Sequence, residues 1–201
     1  EAESCDFLLL QSAPKVIPLR RKRLLIEGLR KHGHVLQEAA LQERRHVLGR
    51  RMLKRPPQAL PLRYWGYAAY AEWLIARYNP SILLNDRNGS LYSPFLRLSL
   101  TARDHLLVQL AHATTVENSL RLGMNDYDYY FLFGRSSLEA LLARKLRFGE
   151  SIVVLAGSHM IDRSFDLRPV DARRRILLIL GVGPDKEKEA GYQQTYELLR
   201  D

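Results

Sequence analysis

The chain has 201 residues, 46% of them apolar and 26% charged, which is ordinary globular usage and speaks against wholesale disorder and against a membrane protein. Its longest apolar runs, among them Leu8 to Leu10 and Ile176 to Leu180, fall far short of the roughly 20 residues that cross a bilayer, so no membrane span is predicted. The formal charge of +9 is concentrated: residues 15 to 55 hold thirteen Lys/Arg against three acids, Glu27, Glu38 and Glu43.

Cys5 is the only cysteine, which rules out an internal disulfide and any cysteine-built zinc cage and favours a reducing cytoplasm. Glu1, Glu3 and Asp6 stand where a secretory signal would need positive charge.

In chain order, residues 19 to 31 place Leu25 and Leu29 four apart among basic residues and predict an amphipathic helix, interrupted at Gly33. A second helical stretch is predicted from Val35 to Leu53, with a break near Gln42, and Pro56-Pro57 end it. Residues 63 to 78, with Trp65, Tyr67, Tyr70, Trp73, Leu74 and Ile75, predict a core helix. Residues 79 to 95 are rich in Asn, Pro, Ser and Gly and read as a loop with a tight turn at Asn88-Gly89, the best domain boundary. Thr101 to Asp104 spells a capping signal for a helix reaching Gly123, and Ser136 to Glu139 a second one for a helix through Leu146. Ile152 to Leu155 predicts a strand, to be partnered by Ser164 to Leu167 or by a second copy. Arg173 to Gly181 reads as a helix or a buried strand, and Pro184 opens a final charged helix. Gly157-Ser158-His159-Met160 spells either a cloning junction or a native loop.

The strongest constellation runs from residue 24 to 55. A helix, a glycine break, a small-residue helix with Ala39-Ala40, a short polar turn and an arginine-dense helix are in the order of a helix-turn-helix. Arg44, Arg45, Arg50, Arg51, Lys54 and Arg55 would then meet phosphates and base edges of double-stranded DNA. Arg20, Arg21, Lys22 and Arg23 form a basic arm upstream, which would track the DNA backbone or end a solvated helix. The same charge would serve an acidic protein partner or an anionic lipid surface; the reading ranks DNA first and expects no membrane partner.

Residues 106 to 146 resemble the bacterial flagellar master-regulator subunit FlhD. The resemblance rests on an apolar helix, the Arg121-Leu122-Gly123 turn, a Leu/Ala-rich helix at Leu138 to Ala143 and a following strand. The basic stretch ahead of Pro56-Pro57 resembles its partner FlhC, whose zinc-binding cysteines have no counterpart here. The resemblance implies a helical activator that works as an oligomer and contacts RNA polymerase.

Enzymatic motifs are weak. Gly181-Val182-Gly183 lacks the third glycine of a dinucleotide loop, and no H-E-x-x-H pair occurs. His105 and His112 lie seven apart on one predicted helix without further ligands, and His46 and Ser137 lack triad partners. No enzyme, cofactor or metal is therefore expected. The patch around Tyr127, Tyr129, Tyr130 and Phe131 reads as an interface for self-association or as a helix start.

Together these readings predict a mainly α protein, a helical bundle with a helix-turn-helix-like amino-terminal region and a short strand near 152–156. They divide it into residues 1–60, 61–156 and 157–201. The expected function is that of a DNA-binding transcriptional regulator. The alternative is a helical adaptor that docks an acidic partner.

Overall fold

The computed structural model describes residues 4–20, 22–87, 90–111, 125–143 and 149–161, with Gln193, Gln194 and Glu197 beyond them. The chain divides into two compact units, Glu1–Ser164 and Phe165–Asp201. In the second, the three described residues are helical and exposed.

The first unit is built on six strands: β1 (Cys5–Gln11), β2 (Leu36–Ala40), β3 (Pro80–Asn85), β4 (Leu106–Leu110), β5 (Tyr129–Leu132) and β6 (Ile152–Leu155). They form one sheet in the order β2-β1-β3-β4-β5-β6, and every pairing is parallel. Among the described residues, five α-helices lie between them: α1 (Arg23–Lys31), α2 (Arg44–Gly49), α3 (Leu62–Tyr78), α4 (Ser93–Thr101) and α5 (Arg135–Leu142).

A parallel sheet is covered on both faces, so its central strands are apolar without alternation. Leu8, Leu9 and Leu10 are all fully buried, yet they serve different layers. Leu8 and Leu10 join Leu83, Leu107, Tyr130 and Leu132 under Leu74 and Ile75 of α3, Leu100 of α4 and Leu141 of α5. Leu9 joins Leu36, Leu84, Val108 and Leu110 under Ile26 of α1. Burying each such leucine stabilises the fold by about 1.5–3 kcal/mol.

α1 follows the predicted amphipathic pattern. Ile26 is buried with Leu25 and Leu29 packed beside it, while Arg23, Glu27 and Lys31 face solvent. Gly33 at φ 84 then turns the chain back into β2. α3 buries Ala68, Ala69 and Ala71, its backbone running closest to α4, and its first six residues remain exposed.

This architecture corrects the expected mainly α bundle. Residues 36–40, assigned to a helix by their Ala and Glu content, instead pair with β1, Leu36 opposite Phe7 and Ala40 opposite Gln11. Strand pairing and burial of Leu36, Ala39 and Ala40 outweigh a small helix preference. The first helix of a helix-turn-helix is therefore absent, and the arginine-dense segment that remains helical, α2, spans only six residues.

The expected loop at 79–95 contains β3 and the start of α4. The expected helix from Thr101 is reversed in sense: α4 ends at Thr101, Asp104 adopts φ 58, and Leu106–Leu110 is β4. The helical fold implied by the flagellar-regulator resemblance falls with it, and Arg121-Leu122-Gly123 lies outside the described residues. So do Asn88-Gly89, His112 and the element expected at 173–181; of the final helix expected from Pro184, only Gln193, Gln194 and Glu197 are described, and they are helical. β6 stands as predicted, but its partner is β5. The sheet also draws strands from both sides of residue 60.

Candidate functional site

The chain leaves β1 toward β2 on one side and β3 leads toward β4 on the other, so the connections diverge between β1 and β3. In open parallel sheets such a divergence opens a crevice beyond the carboxyl ends of the strands, where ligands are bound. Here those ends are occupied by polar groups on both faces of the sheet.

On the α1 face, the Lys22 ammonium is buried against the Asp86 carboxylate, their side chains 5% and 3% exposed. It also donates to Gln11 Oε1 at 3.1 Å, and Gln11 Nε2 donates to Glu38 Oε2 at 2.9 Å. Asp86 Oδ1 is buried without a hydrogen-bond partner, so this carboxylate depends on Lys22. On the other face, Asn85 Nδ2 donates to Gln109 Oε1 at 2.7 Å, and Gln109 Nε2 to the Leu110 carbonyl at 2.9 Å. These networks tie β1, β2, β3 and β4 together beneath the crevice.

Over the ends of β1 and β2 lies α2, with a depression on either side. One, of about 530 Å³, is lined by Pro14, Gln42, Glu43, Arg45, His46, Gly49 and Arg50. Its single acid, Glu43, is engaged by Arg45 at 2.9 Å. The other, of about 400 Å³, is lined by Arg44, Leu48, Leu62, Arg63, Trp65, Tyr67, Tyr70 and Tyr92, among others. Both volumes fall in the range of small-molecule sites.

The aromatic wall of the second depression is held by ring contacts, Tyr67 to Tyr92 at 5.1 Å and Tyr70 to Tyr92 at 5.6 Å. Tyr70 accepts the Gln42 N–H at 3.1 Å, fixing the chain as it leaves β2. Burial pushes the Tyr70 hydroxyl up to about 12, against the lowering effect of that bond. Tyr92 is also raised, by burial and then by neighbouring Tyr67, while Arg44 and Arg87 oppose the shift.

α2 closes with a left-handed residue. Arg51 has φ 52, its N–H donates to the Leu48 carbonyl at 3.1 Å, and Met52 N–H donates to Val47 at 2.9 Å. This helix-ending turn favours glycine at the Arg51 position.

Two cations elsewhere in the unit are committed to carboxylates. Arg103 holds Glu72 through both guanidinium nitrogens at 2.5 and 3.2 Å. Arg97 bridges Asp126 at 2.6 Å and Asp128 at 3.1 Å. Burial alone would lower the Arg97 pKa, but the Asp126 hydrogen bond and the charges of Asp128 and Asp126 outweigh it and hold the group above its ordinary value.

The residues singled out from the sequence separate accordingly. Arg44, Arg45, Arg50, Arg51, Lys54 and Arg55 are all exposed on α2 and the turn after it, with Arg45 and Arg50 lining one depression and Arg44 the other. Lys22 does not join them, being buried. Arg20 is exposed at φ 48, Arg23 faces solvent near Glu27 at 3.5 Å, and Arg21 lies outside the described residues. Tyr127 and Tyr130 are core residues in edge-to-face contact at 5.4 Å, and Tyr129 and Phe131 pack against the α1 layer. The segment is a strand rather than a helix start, and Asp126 and Asp128 ahead of it clamp Arg97.

Gln11, Asp86, Arg63 and Tyr92 were missed. A usable signal was present for the first two: apolar runs closing directly on Gln11 and on Asn85-Asp86 mark the carboxyl ends of buried strands. No family model, no curated protein and no solved structure matches this chain.

Proposed function

We propose that this chain is a binding domain for a phosphate-bearing small molecule, taken up at the carboxyl edge of its parallel sheet. The observation that carries the reading is the crevice between Pro14 and α2, where Arg45, His46, Arg50 and Gln42 converge. Guanidinium groups bind phosphate through paired hydrogen bonds, and the one acid present already has a cation. The depression lies beyond the carboxyl ends of β1 and β2, the edge at which open parallel sheets hold ligands, beside rather than at the β1–β3 divergence. The lone, buried Cys5 favours a reducing compartment.

Calorimetric titration of the whole chain with inorganic pyrophosphate and with ATP tests this. Arg50→Ala is expected to weaken binding about tenfold or more, the loss typical of a hydrogen bond to a charged group. Equal binding of an uncharged nucleoside by the parent and by Arg50→Ala would refute it.

A second reading, double-stranded DNA, is favoured by the six exposed cations from Arg44 to Arg55, of which, among the described residues, only Arg45 is paired with a carboxylate. It no longer relies on a recognition helix. Its signature is a steep salt dependence, with a log–log slope of about −0.9 per neutralised phosphate. Loss of a duplex gel shift when these cations are neutralised would support it, and an unchanged shift would refute it.

A further inference from the structure

The α2 turn and the exposed beginning of α3 form one surface that neither reading explains. Between residues 44 and 67 the chain carries seven Lys/Arg and no Asp or Glu. Within that basic stretch stand large apolar side chains that the fold leaves uncovered. Leu62 is 88% exposed, Leu48 54% and Trp65 41%, and all three line the same depression as Arg44 and Arg63. Pro61 through Tyr67 are exposed without exception, so the first two turns of α3 stand clear of the sheet. The Arg63 guanidinium covers the Tyr64 ring at 4.6 Å.

We propose that this surface docks on a bilayer containing anionic lipid, with Leu48, Leu62 and Trp65 entering the headgroup boundary and the surrounding cations meeting lipid phosphates. Three features fit that occupant. Trp and Tyr prefer the membrane–water boundary, where an apolar ring and a polar tip are both accommodated. Basic residues beside an apolar face are the pattern of proteins that lie on membranes. An acid-free cationic rim is complementary to anionic headgroups.

Nucleic acid would use the same cations and could stack on Trp65, but it offers nothing to Leu62 and Leu48. Those two residues decide between the occupants. No helix among the described residues is long and apolar enough to cross a membrane, so the docking is peripheral. The proposal does not depend on the phosphate crevice on the other side of α2.

The test is co-sedimentation of the whole chain with phosphatidylcholine vesicles, with and without phosphatidylglycerol. Tryptophan emission is followed in a Trp73→Phe background so that Trp65 alone reports. Binding to the anionic vesicles only is expected, weakening with salt and accompanied by a blue shift. Leu62→Ser with Trp65→Ser should lower the partition coefficient at least tenfold with unchanged unfolding temperature. Lys54→Gln and Arg55→Gln should lower it roughly fivefold each.

Absence of binding to anionic vesicles would overturn the proposal. So would vesicle binding that the Leu62/Trp65 variant leaves intact. A duplex shift that alone depends on the cations, with no vesicle binding, would assign the surface to nucleic acid instead.

Discussion

Lys22 and the cations from Arg44 to Arg55 belong to one basic stretch of sequence, yet the fold uses them in opposite ways. Lys22 is drawn inside, against Asp86 and Gln11, where it fastens β1 to the end of β3. The Arg44–Arg55 group remains in water around α2. A buried cation can only be accommodated with its counter-charge, and Asp86 lies 64 residues away in sequence. Local charge density thus identifies a polyanion-binding surface only after the internal partners have been subtracted. The Arg44–Arg55 cations are among those the subtraction leaves, beside exposed Lys15, Arg20, Arg30 and Lys31, and Arg44, Arg45 and Arg50 of that group border the depressions.

The sharpest way to break this contrast is at the buried pair. Lys22→Met leaves the Asp86 carboxylate buried without a counter-charge and should cost about 3–5 kcal/mol in chemical denaturation. Adding Asp86→Leu should recover most of the loss. If Lys22→Met is tolerated as well as a surface change, Lys22 does not have the internal role assigned to it.

A smaller effect appears at alkaline pH, at Tyr70 in the wall of the aromatic depression beside α2. Its hydroxyl titrates near 12 in the folded protein against the ordinary 10.0, so the folded state keeps a proton that the unfolded state releases. The associated stability is complete below pH 10 and disappears as pH rises through about 12, a loss on the order of 2 kcal/mol. Tyr70→Phe should flatten stability over that window, at a cost near neutrality of about 1 kcal/mol for the lost Gln42 bond. A pH slope that survives the substitution would assign the effect to Tyr92 and its neighbours.

Around α2 the effects on stability shrink and those on binding grow. Arg51→Gly should raise stability by about 0.5–1 kcal/mol, because glycine takes the left-handed turn without strain, while removing one surface charge. Arg50→Ala should change stability by no more than about 0.5 kcal/mol. A large loss of stability in either variant would mean these residues are internal fasteners like Lys22.

The same distinction explains what could be read before the fold was known. α1, α3 and α5 were legible because each buries one stripe, as Ile26, Tyr70 with Leu74, and Leu141 show. β6 was legible from its run of β-branched residues. β1, β3 and β4 were not, because strands buried on both faces carry no period-two pattern to separate Leu-rich strand from Leu-rich helix. β2 was mistaken for helix because Gln37, Glu38, Ala39 and Ala40 favour helix locally, and only pairing with β1 decides otherwise.

In the candidate site, the exposed arginines were recognised for their charge, but not their division between the two depressions beside α2. The crevice they border depends on long-range neighbours, Pro14 across from Arg50 and Tyr92 across from Arg44, that no local pattern brings together. Tyr127 and Tyr130 show the converse error. Their aromatic density suggested an interface, and both are packed inside.

The most direct test of the central claim is a backbone amide NMR titration of the whole chain with inorganic pyrophosphate. A phosphate site at the carboxyl edge predicts saturable shifts confined to Pro14's neighbours and to Gln42 through Arg50, abolished in Arg45→Ala/Arg50→Ala. Shifts spread evenly over every exposed cation, or saturating at the Arg97 and Arg103 clamps, would contradict it.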